Sequence, residues 1–170
     1  MSKGIALLLD GSSSDIYSNL CAIELAKRVS ADIHALAMAS GEASAEASEM
    51  MGLVSMRGRP SSDPMDSLRM AVRLGDRNGV KIYSYLVGSN IEEALIEFLM
   101  QKRVPCLITG AVNESVSKEK EKWLSRLRRR LNQNGKWYYG PFWTLVVRPW
   151  EDDVYDRLLE VMASYRQKFN

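Results

Sequence analysis

Residues 4–39 constrain the fold of this chain more than any other segment. Their first apolar run, residues 5–9, is unbroken, which is typical of a strand covered by helices on both faces of a parallel sheet. Asp10 and Gly11 end this run, and an amphipathic helical segment then leads into a second apolar run at residues 32–39. The segment therefore predicts a βαβ unit and an α/β fold.

The helix within this unit is predicted from a polar turn and an apolar stripe. The turn, residues 12–15, supplies oxygens that can cap a helix N-terminus. The apolar side chains that follow recur at helical spacing and predict one buried face, made of Ile16, Leu20, Ala22, Ile23, Leu25, Ala26 and Val29. We expect this face to pack on the sheet.

The alternation of strands and helices continues along the chain. Further strands are predicted at residues 81–87, 105–109 and 143–148, and further helices at residues 65–78, 91–99 and 117–131. Asn90 and Glu93 have the spacing of a capping box at the start of the helix predicted at residues 91–99. Five strands that alternate with at least four helices imply right-handed crossovers and a parallel sheet with helices on both faces.

Two segments depart from this alternation. Residues 41–63 form a connection longer than an ordinary loop, and its apolar side chains predict partial order. Residues 151–170 place six apolar side chains on one helical face: Tyr155, Leu158, Leu159, Met162, Tyr165 and Phe169. We therefore predict an α/β domain over residues 1–150 and an amphipathic C-terminal helical extension over residues 151–170, which covers apolar surface of its own chain or of a partner.

Composition and cysteine usage exclude several classes of protein. The chain is 46% hydrophobic and 26% charged, as in ordinary soluble domains, and has neither a membrane-spanning run nor a signal peptide. We expect a cytoplasmic protein with no membrane contact. Cys21 and Cys106 are expected to be reduced, buried thiols because two cysteines in 170 residues do not make a disulfide framework.

Residues for catalysis or metal binding are sparse. The single histidine, His34, lies within a predicted strand, where a core or strand-face role is expected, and it has no convincing nucleophilic partner. The histidine and cysteines lack zinc spacing, and the acidic residues do not form a calcium loop. We predict no catalytic residues and no metal site, and these residues do not decide whether the protein is an enzyme. Any hydrolysis would require a bound nucleotide first.

Three stretches resemble the universal stress protein family. The family's opening strand, aspartate turn, helix and second strand are similar to LLLDGSSSD and CAIELAKRVSADIHALAM. Its third helix, fourth strand and last strand are similar to VGSNIEEALIEFLMQKRVPCLITG and TLVVRP. The resemblance covers most of residues 4–149 and implies an open, Rossmann-like five-stranded parallel sheet of order 3-2-1-4-5. It also implies a stress-response protein that forms a homodimer through its last strand. Some members bind ATP or a related nucleotide, and others do not.

The resemblance also implies where an adenine nucleotide would bind. Asp10 matches the acidic residue that contacts adenosine in nucleotide-binding members, although a hydrogen-bonded corner residue is an equally good interpretation. Ligands of such sheets bind at the carboxyl ends of the strands, where the winding direction reverses. The candidate crevice therefore consists of the residues that follow strands one, two and four: Asp10, Gly11, Ser12, Ala39, Gly110, Ala111, Val112 and Asn113.

The phosphate loop of ATP-binding members is incomplete here. That loop has the pattern GxxG, nine residues, then Gly with Ser or Thr. Gly110 matches the first glycine, but Asn113 replaces the second, and no glycine with Ser or Thr follows at the required spacing. Asn113 is expected to keep the turn by adopting a left-handed conformation. Glycines let backbone amides approach phosphate, whereas Glu114 adds negative charge.

These features lead to two functional hypotheses. The first is a universal stress protein-like regulatory or binding module that acts through dimerisation and partner contacts, without a cofactor. The alternative is a protein that binds ATP or AMP with Mg²⁺ through a remodelled loop and acts as a slow ATPase. For the homodimer, we expect contacts through the strand from Trp143 to Arg148 and through the C-terminal extension.

The strongest charge feature is a basic segment at residues 118–136. It holds eight basic and two acidic residues in a chain whose net charge is only +2. Its arginines, Arg126 and Arg128 to Arg130, could contact nucleic acid or an acidic partner. A basic helix with an apolar inner face is, however, usually solvated, so we expect no nucleic-acid surface.

Overall fold

The computed structural model describes residues 4–38, 64–88, 90–133 and 142–149. Its strands are β1 (Gly4–Leu9), β2 (Asp32–Met38), β3 (Ile82–Val87), β4 (Cys106–Gly110) and β5 (Trp143–Val147). Its helices are α1 (Asp15–Val29), α2 (Pro64–Arg77), α3 (Ile91–Lys102) and α4 (Glu114–Gln133). All paired strands are parallel, and the strand order is β3-β2-β1-β4-β5. The predicted α/β fold and strand order are confirmed.

The sheet separates two buried layers. Helices α1 and α2 pack on one face, against Ile5, Leu7 and their neighbours, and α3 and α4 pack on the other, against Ala6 and Leu8. Successive side chains of a strand point to opposite faces. The unbroken apolar run of β1 is therefore buried on both sides, as predicted. The inward residues predicted for α4 are also buried: Trp123, Leu124, Leu127 and Leu131.

The inner face of α1 differs from its sequence prediction. Ile16 and Leu20 were expected to face the sheet, but they are 42% and 45% exposed, whereas Asp15, Ser18 and Asn19 are buried. The Asp15 carboxylate accepts hydrogen bonds from two backbone amides of the preceding turn, which draws it inward. Because successive helical residues are about 100° apart, an inward Asp15 turns Ile16 outward. The prediction for Ile16 and Leu20 is wrong for this reason.

Asn19 lies in the core of the domain with a side-chain amide that is unsatisfied. Its Nδ2 and Oδ1 atoms are buried and have no hydrogen-bond partner within the described ranges. Such a group costs about 1–3 kcal/mol. We predict that Asn19→Leu raises the free energy of unfolding by about this amount in urea denaturation. Ser18→Ala is the control because it removes a hydrogen bond that is made, from Ser18 Oγ to the Asp15 carbonyl oxygen. A less stable Asn19→Leu protein would contradict the prediction.

The remaining sequence predictions for the fold concern cysteines and unplaced segments. Cys21 and Cys106 are free thiols, as predicted, but only Cys106 is buried; Cys21 is half-buried, so its predicted burial is wrong. Burial raises the pKa of both thiols, that of Cys106 to about 12. Across the described helices, none has the length and apolar character that a membrane span needs. The connection at residues 41–63 and the C-terminal extension at residues 151–170 lie outside the described residues.

Candidate functional site at the ends of β1 and β4

The turn between β1 and α1 is held together by the side chains of two aspartates. Asp15 accepts hydrogen bonds from the backbone N–H groups of Asp10 and Gly11, at 3.2 and 2.9 Å. Asp10 in turn accepts one from the N–H of Ser12 at 2.9 Å. Gly11 has φ of +81°, a conformation that favours glycine. Asp10 therefore stabilises the turn between β1 and α1 by hydrogen bonding, which is one of the two roles considered for it from the sequence.

A buried lysine from α4 reaches the same corner. The Nζ atom of Lys120 lies 2.6 Å from Asp10 Oδ2 and 3.2 Å from Thr109 Oγ1, and it also donates to the Gly110 carbonyl oxygen. The side chains of Lys120 and Asp10 are each only 2% exposed. An ammonium group has three donors, and here each has an acceptor, as a buried charge requires.

Asp10, Asp15 and Lys120 form a cluster in which the protonation states depend on one another. Burial raises the pKa of Asp10, but attraction to Lys120 and hydrogen bonds outweigh burial, so that pKa lies below its usual value. Burial also raises the pKa of Asp15, and the neighbouring Asp10 carboxylate raises it further, to about 8. Asp15 in the carboxylate–lysine cluster therefore keeps its proton to a higher pH than an ordinary aspartate does, whereas Asp10 ionises more readily than usual.

The end of β4 packs directly against the start of α1. A Cβ atom added to Gly110 would lie 2.7 Å from Ser14 Oγ and 2.9 Å from the Ser14 carbonyl oxygen, so glycine is required by this contact. Ser14 Oγ also lies 2.6 Å from Ser12 Oγ. Packing alone therefore accounts for Gly110, which the family resemblance matched to the first glycine of a phosphate loop.

The residues that follow Gly110 belong to neighbouring structural elements. The backbone N–H of Ala111 donates to the Val147 carbonyl oxygen at 3.0 Å. Asn113 caps α4, because its Oδ1 atom accepts a hydrogen bond from the Val116 N–H at 2.9 Å. Asn113 is not left-handed, since Ser30 and Arg103 are the non-glycine residues with positive φ in the described part. That expectation is wrong because the cap already fixes the turn.

The ends of β1 and β4 lie together, as the sequence predicted, but no role was predicted for Lys120. Asp10 and Gly110 meet through the Lys120 ammonium, while Ala39 lies outside the described residues. Lys120 was counted as part of a solvated basic face. A usable signal was present, because Lys120 lies three and four residues before Trp123 and Leu124, on the inward stripe of α4.

Solved structures provide the comparison for this arrangement. A universal stress protein in complex with cAMP matches with a TM-score of 0.54 and 18% sequence identity, over 85% of this chain and 96% of that one. The chain has the universal stress protein fold. A universal stress protein family structure from Burkholderia pseudomallei has a TM-score of 0.49 at 18% identity, over 85% of this chain and 95% of that one. A structure from Archaeoglobus fulgidus in complex with dAMP has a TM-score of 0.49 at 13% identity, over 72% and 90%. No family model and no curated protein sequence matches the chain.

Within the universal stress protein fold of this chain, the winding direction reverses between β1 and β4. The carboxylate–lysine cluster lies at this point. Ser14 approaches Gly110 from α1, and Lys120 binds Asp10 and Gly110 from α4. Lys120 therefore already binds the Asp10 carboxylate and the Gly110 carbonyl oxygen at this sheet position.

Other candidate residues have structural partners. His34 is buried, with its Nδ1 atom 3.2 Å from the Tyr85 hydroxyl and its ring stacked on Tyr83, as expected for a strand-face residue. The described residues contain no group of three metal-ligating side chains.

The basic face of α4 is partly neutralised. Arg130 pairs with Glu92 at 2.7 Å and also with Glu93, both on α3, while Arg126 and Arg129 are exposed. Glu93 is thereby engaged with α4, and Asn90 makes no side-chain capping bond. The predicted capping box is wrong because the stronger, charge-assisted partner of Glu93 is an arginine.

Proposed function

We propose that this chain is a universal stress protein-like regulatory or binding module that acts through dimerisation and partner contacts and needs no adenine nucleotide. One observation carries the proposal: Lys120 binds Asp10, Thr109 and Gly110 at the reversal point of the sheet. The carboxylate that the family resemblance assigns to adenosine is already neutralised by a cation of the same chain.

Binding energies support this proposal. A nucleotide that drew Asp10 away from Lys120 would break a buried ion pair, and loss of one partner of such a pair costs about 3–5 kcal/mol. A millimolar ligand gains only about 4.1 kcal/mol in total. The phosphate side offers little compensation, because Asn113 caps α4 where the family loop has its second glycine.

Calorimetric titration of the full chain with ATP and Mg²⁺, AMP and cAMP tests the proposal. We expect no saturable heat up to about 1 mM ligand. We also expect no adenylate among the small molecules released on denaturing the purified protein. Asp76→Asn, an exposed change on α2, is the matched control for Asp10→Asn. Binding with Kd below about 10 μM that is lost in Asp10→Asn but kept in Asp76→Asn would overturn the proposal.

The second candidate is adenine nucleotide binding through a remodelled loop, with slow ATPase activity. The similarity to a solved universal stress protein in complex with cAMP favours this candidate. This candidate predicts nucleotide binding that is lost in Asp10→Asn but kept in Asp76→Asn. It also predicts phosphate release that requires Mg²⁺. The same titration therefore decides between the two candidates.

We also propose that the homodimer forms along the outer edge of β5, with the C-terminal extension adding to the interface. In the described sheet β5 is a terminal strand. The Trp143 N–H and the Val147 carbonyl oxygen bond towards β4, at 2.8 and 3.0 Å. Backbone groups of alternate residues point to opposite edges of a strand, so those of Thr144 and Val146 point outward.

This geometry identifies a variant that blocks the outer edge alone. Thr144→Pro removes an outward N–H, and we expect it to lower the mass measured by light scattering from twice 19.2 kDa to 19.2 kDa. Thr144→Val changes the side chain and keeps the N–H, so its mass should stay dimeric. A monomeric parent protein, or a dimeric Thr144→Pro variant, would contradict dimerisation through this edge.

A further inference from the structure

The outer face of α1 is apolar near the N-terminus of the helix. Ile16, Tyr17 and Leu20 are 42%, 51% and 45% exposed, and they lie within one turn of each other. The inward face of the same turns is polar, with Asp15, Ser18 and Asn19 buried. A helix that packs against the protein on a single side normally buries its apolar face and exposes its polar face. We call the three exposed residues the α1 patch.

The α1 patch lies beside the place where the chain leaves the sheet. Tyr17 and Pro149 line the same open cavity of about 270 Å³, together with Ser13, Ser14 and Val112. Pro149 ends the last described range, and the C-terminal extension follows it directly. The extension therefore starts next to the α1 patch.

The sequence of the extension supplies a complementary surface. Tyr155, Leu158, Leu159 and Met162 recur at helical spacing. The residues between Pro149 and Tyr155 can span up to about 20 Å when extended, whereas one helical turn of the patch spans only about 5 Å. These residues are therefore long enough to let the extension contact the α1 patch of its own chain.

We propose that the apolar face of residues 151–170 docks on the α1 patch of its own chain, beside the cavity lined by Tyr17 and Pro149. The short connection favours the same chain over a partner, because a short flexible tether gives a local concentration in the millimolar range. This inference goes beyond the proposed function, since it assigns an intrachain contact whose formation does not depend on a nucleotide.

Hydrogen exchange of the full chain, followed by mass spectrometry, tests the docking. We expect the amides of residues 155–165 to exchange about 10-fold or more slowly than an unstructured reference. Tyr17→Glu and Leu20→Glu should each remove this protection. Leu86→Glu is the matched control, because Leu86 is 51% exposed on β3 at the opposite edge of the sheet, and it should leave the protection unchanged. Protection of β1 amides reports that each variant is folded.

A reciprocal variant and a dilution series complete the test. Leu158→Glu in the extension should remove the same protection and speed exchange at residues 16–20. Protection of the extension should stay constant between about 1 and 100 μM protein, as intrachain contact requires. An unprotected extension, or protection that survives both Tyr17→Glu and Leu20→Glu, would overturn the proposal. Protection that rises in step with dimer mass would assign the α1 patch to a second copy. These outcomes do not depend on nucleotide binding, so failure of this proposal is distinguishable from a positive nucleotide titration.

Discussion

Replacing Lys120 by methionine is expected to lower the free energy of unfolding by about 3–5 kcal/mol at pH 7. Methionine fills similar space but leaves the Asp10 carboxylate buried without its cation, and Asp10 is only 2% exposed. Loss of the ammonium also leaves the Thr109 hydroxyl and the Gly110 carbonyl oxygen without this donor. Urea denaturation followed by tryptophan fluorescence measures the effect. Whole domains are stable by about 5–15 kcal/mol, so the loss is a large fraction of the total.

Two companion variants make this result specific. Lys122→Met changes an exposed lysine on the same helix, and we expect a change within about 0.5 kcal/mol. The double variant Asp10→Asn with Lys120→Met removes both charges, so it should be more stable than Lys120→Met alone. A loss below about 1 kcal/mol in Lys120→Met, or no recovery in the double variant, would show that the ion pair does not stabilise this corner.

Local sequence patterns predicted the sheet because each strand and helix is specified within a few residues. The apolar run of β1 and the inward stripe of α4 depend only on neighbours along the chain. The contact between Asp10 and Lys120 joins residues 110 positions apart, so no local period reveals it. What the sequence did offer was a charged residue on an apolar stripe, which indicates a buried partner without identifying it.

The wrong prediction for Ile16 and Leu20 on α1 also arose because a tertiary contact outweighed the local pattern. Periodicity placed Ile16 and Leu20 inward because apolar side chains usually decide which face of a helix is buried. Here Asp15 decides, since its carboxylate satisfies the amides of Asp10 and Gly11 at the corner. Hydrogen bonds to otherwise unsatisfied buried amides outweigh the exposure of two apolar residues. Asn113 alone showed that the phosphate loop differs from the family pattern. That Asn113 caps α4 could be recognised only once the position of α4 was known.

The contribution of Asp15 to the stability of this protein is expected to fall as the pH rises from about 4 to about 8. Its pKa is about 8 in the folded state, against 3.8 for an unperturbed aspartate, so the folded protein holds a proton that the unfolded chain has lost. The free energy of unfolding then decreases by at most about 1.4 kcal/mol per pH unit. Asp10 acts in the opposite sense: its lowered pKa stabilises the fold above pH 4, and this stabilisation is lost as the pH falls further.

Asp15→Asn isolates this effect. The variant cannot lose a proton, so its stability should change much less than that of the parent between pH 5 and pH 8. It keeps one acceptor oxygen for the Asp10 and Gly11 amides and loses the other, which costs about 1 kcal/mol at pH 5. The two stability curves should therefore cross, with the variant more stable at pH 8. Asp66→Asn, at an exposed site on α2, should follow the parent curve.

His34 titrates in the same range but with the opposite sign. Burial lowers its pKa, so the unfolded chain binds its proton more tightly, and the stability contributed by His34 rises as the pH approaches the ordinary histidine pKa of 6.5 from below. His34 is present in the parent and in Asp15→Asn, so its contribution cancels in the difference between their urea curves. A difference that stays constant from pH 5 to pH 8 would show that Asp15 is ionised in the folded protein. A difference that reverses sign would show that folding keeps Asp15 protonated beside the Asp10–Lys120 ion pair.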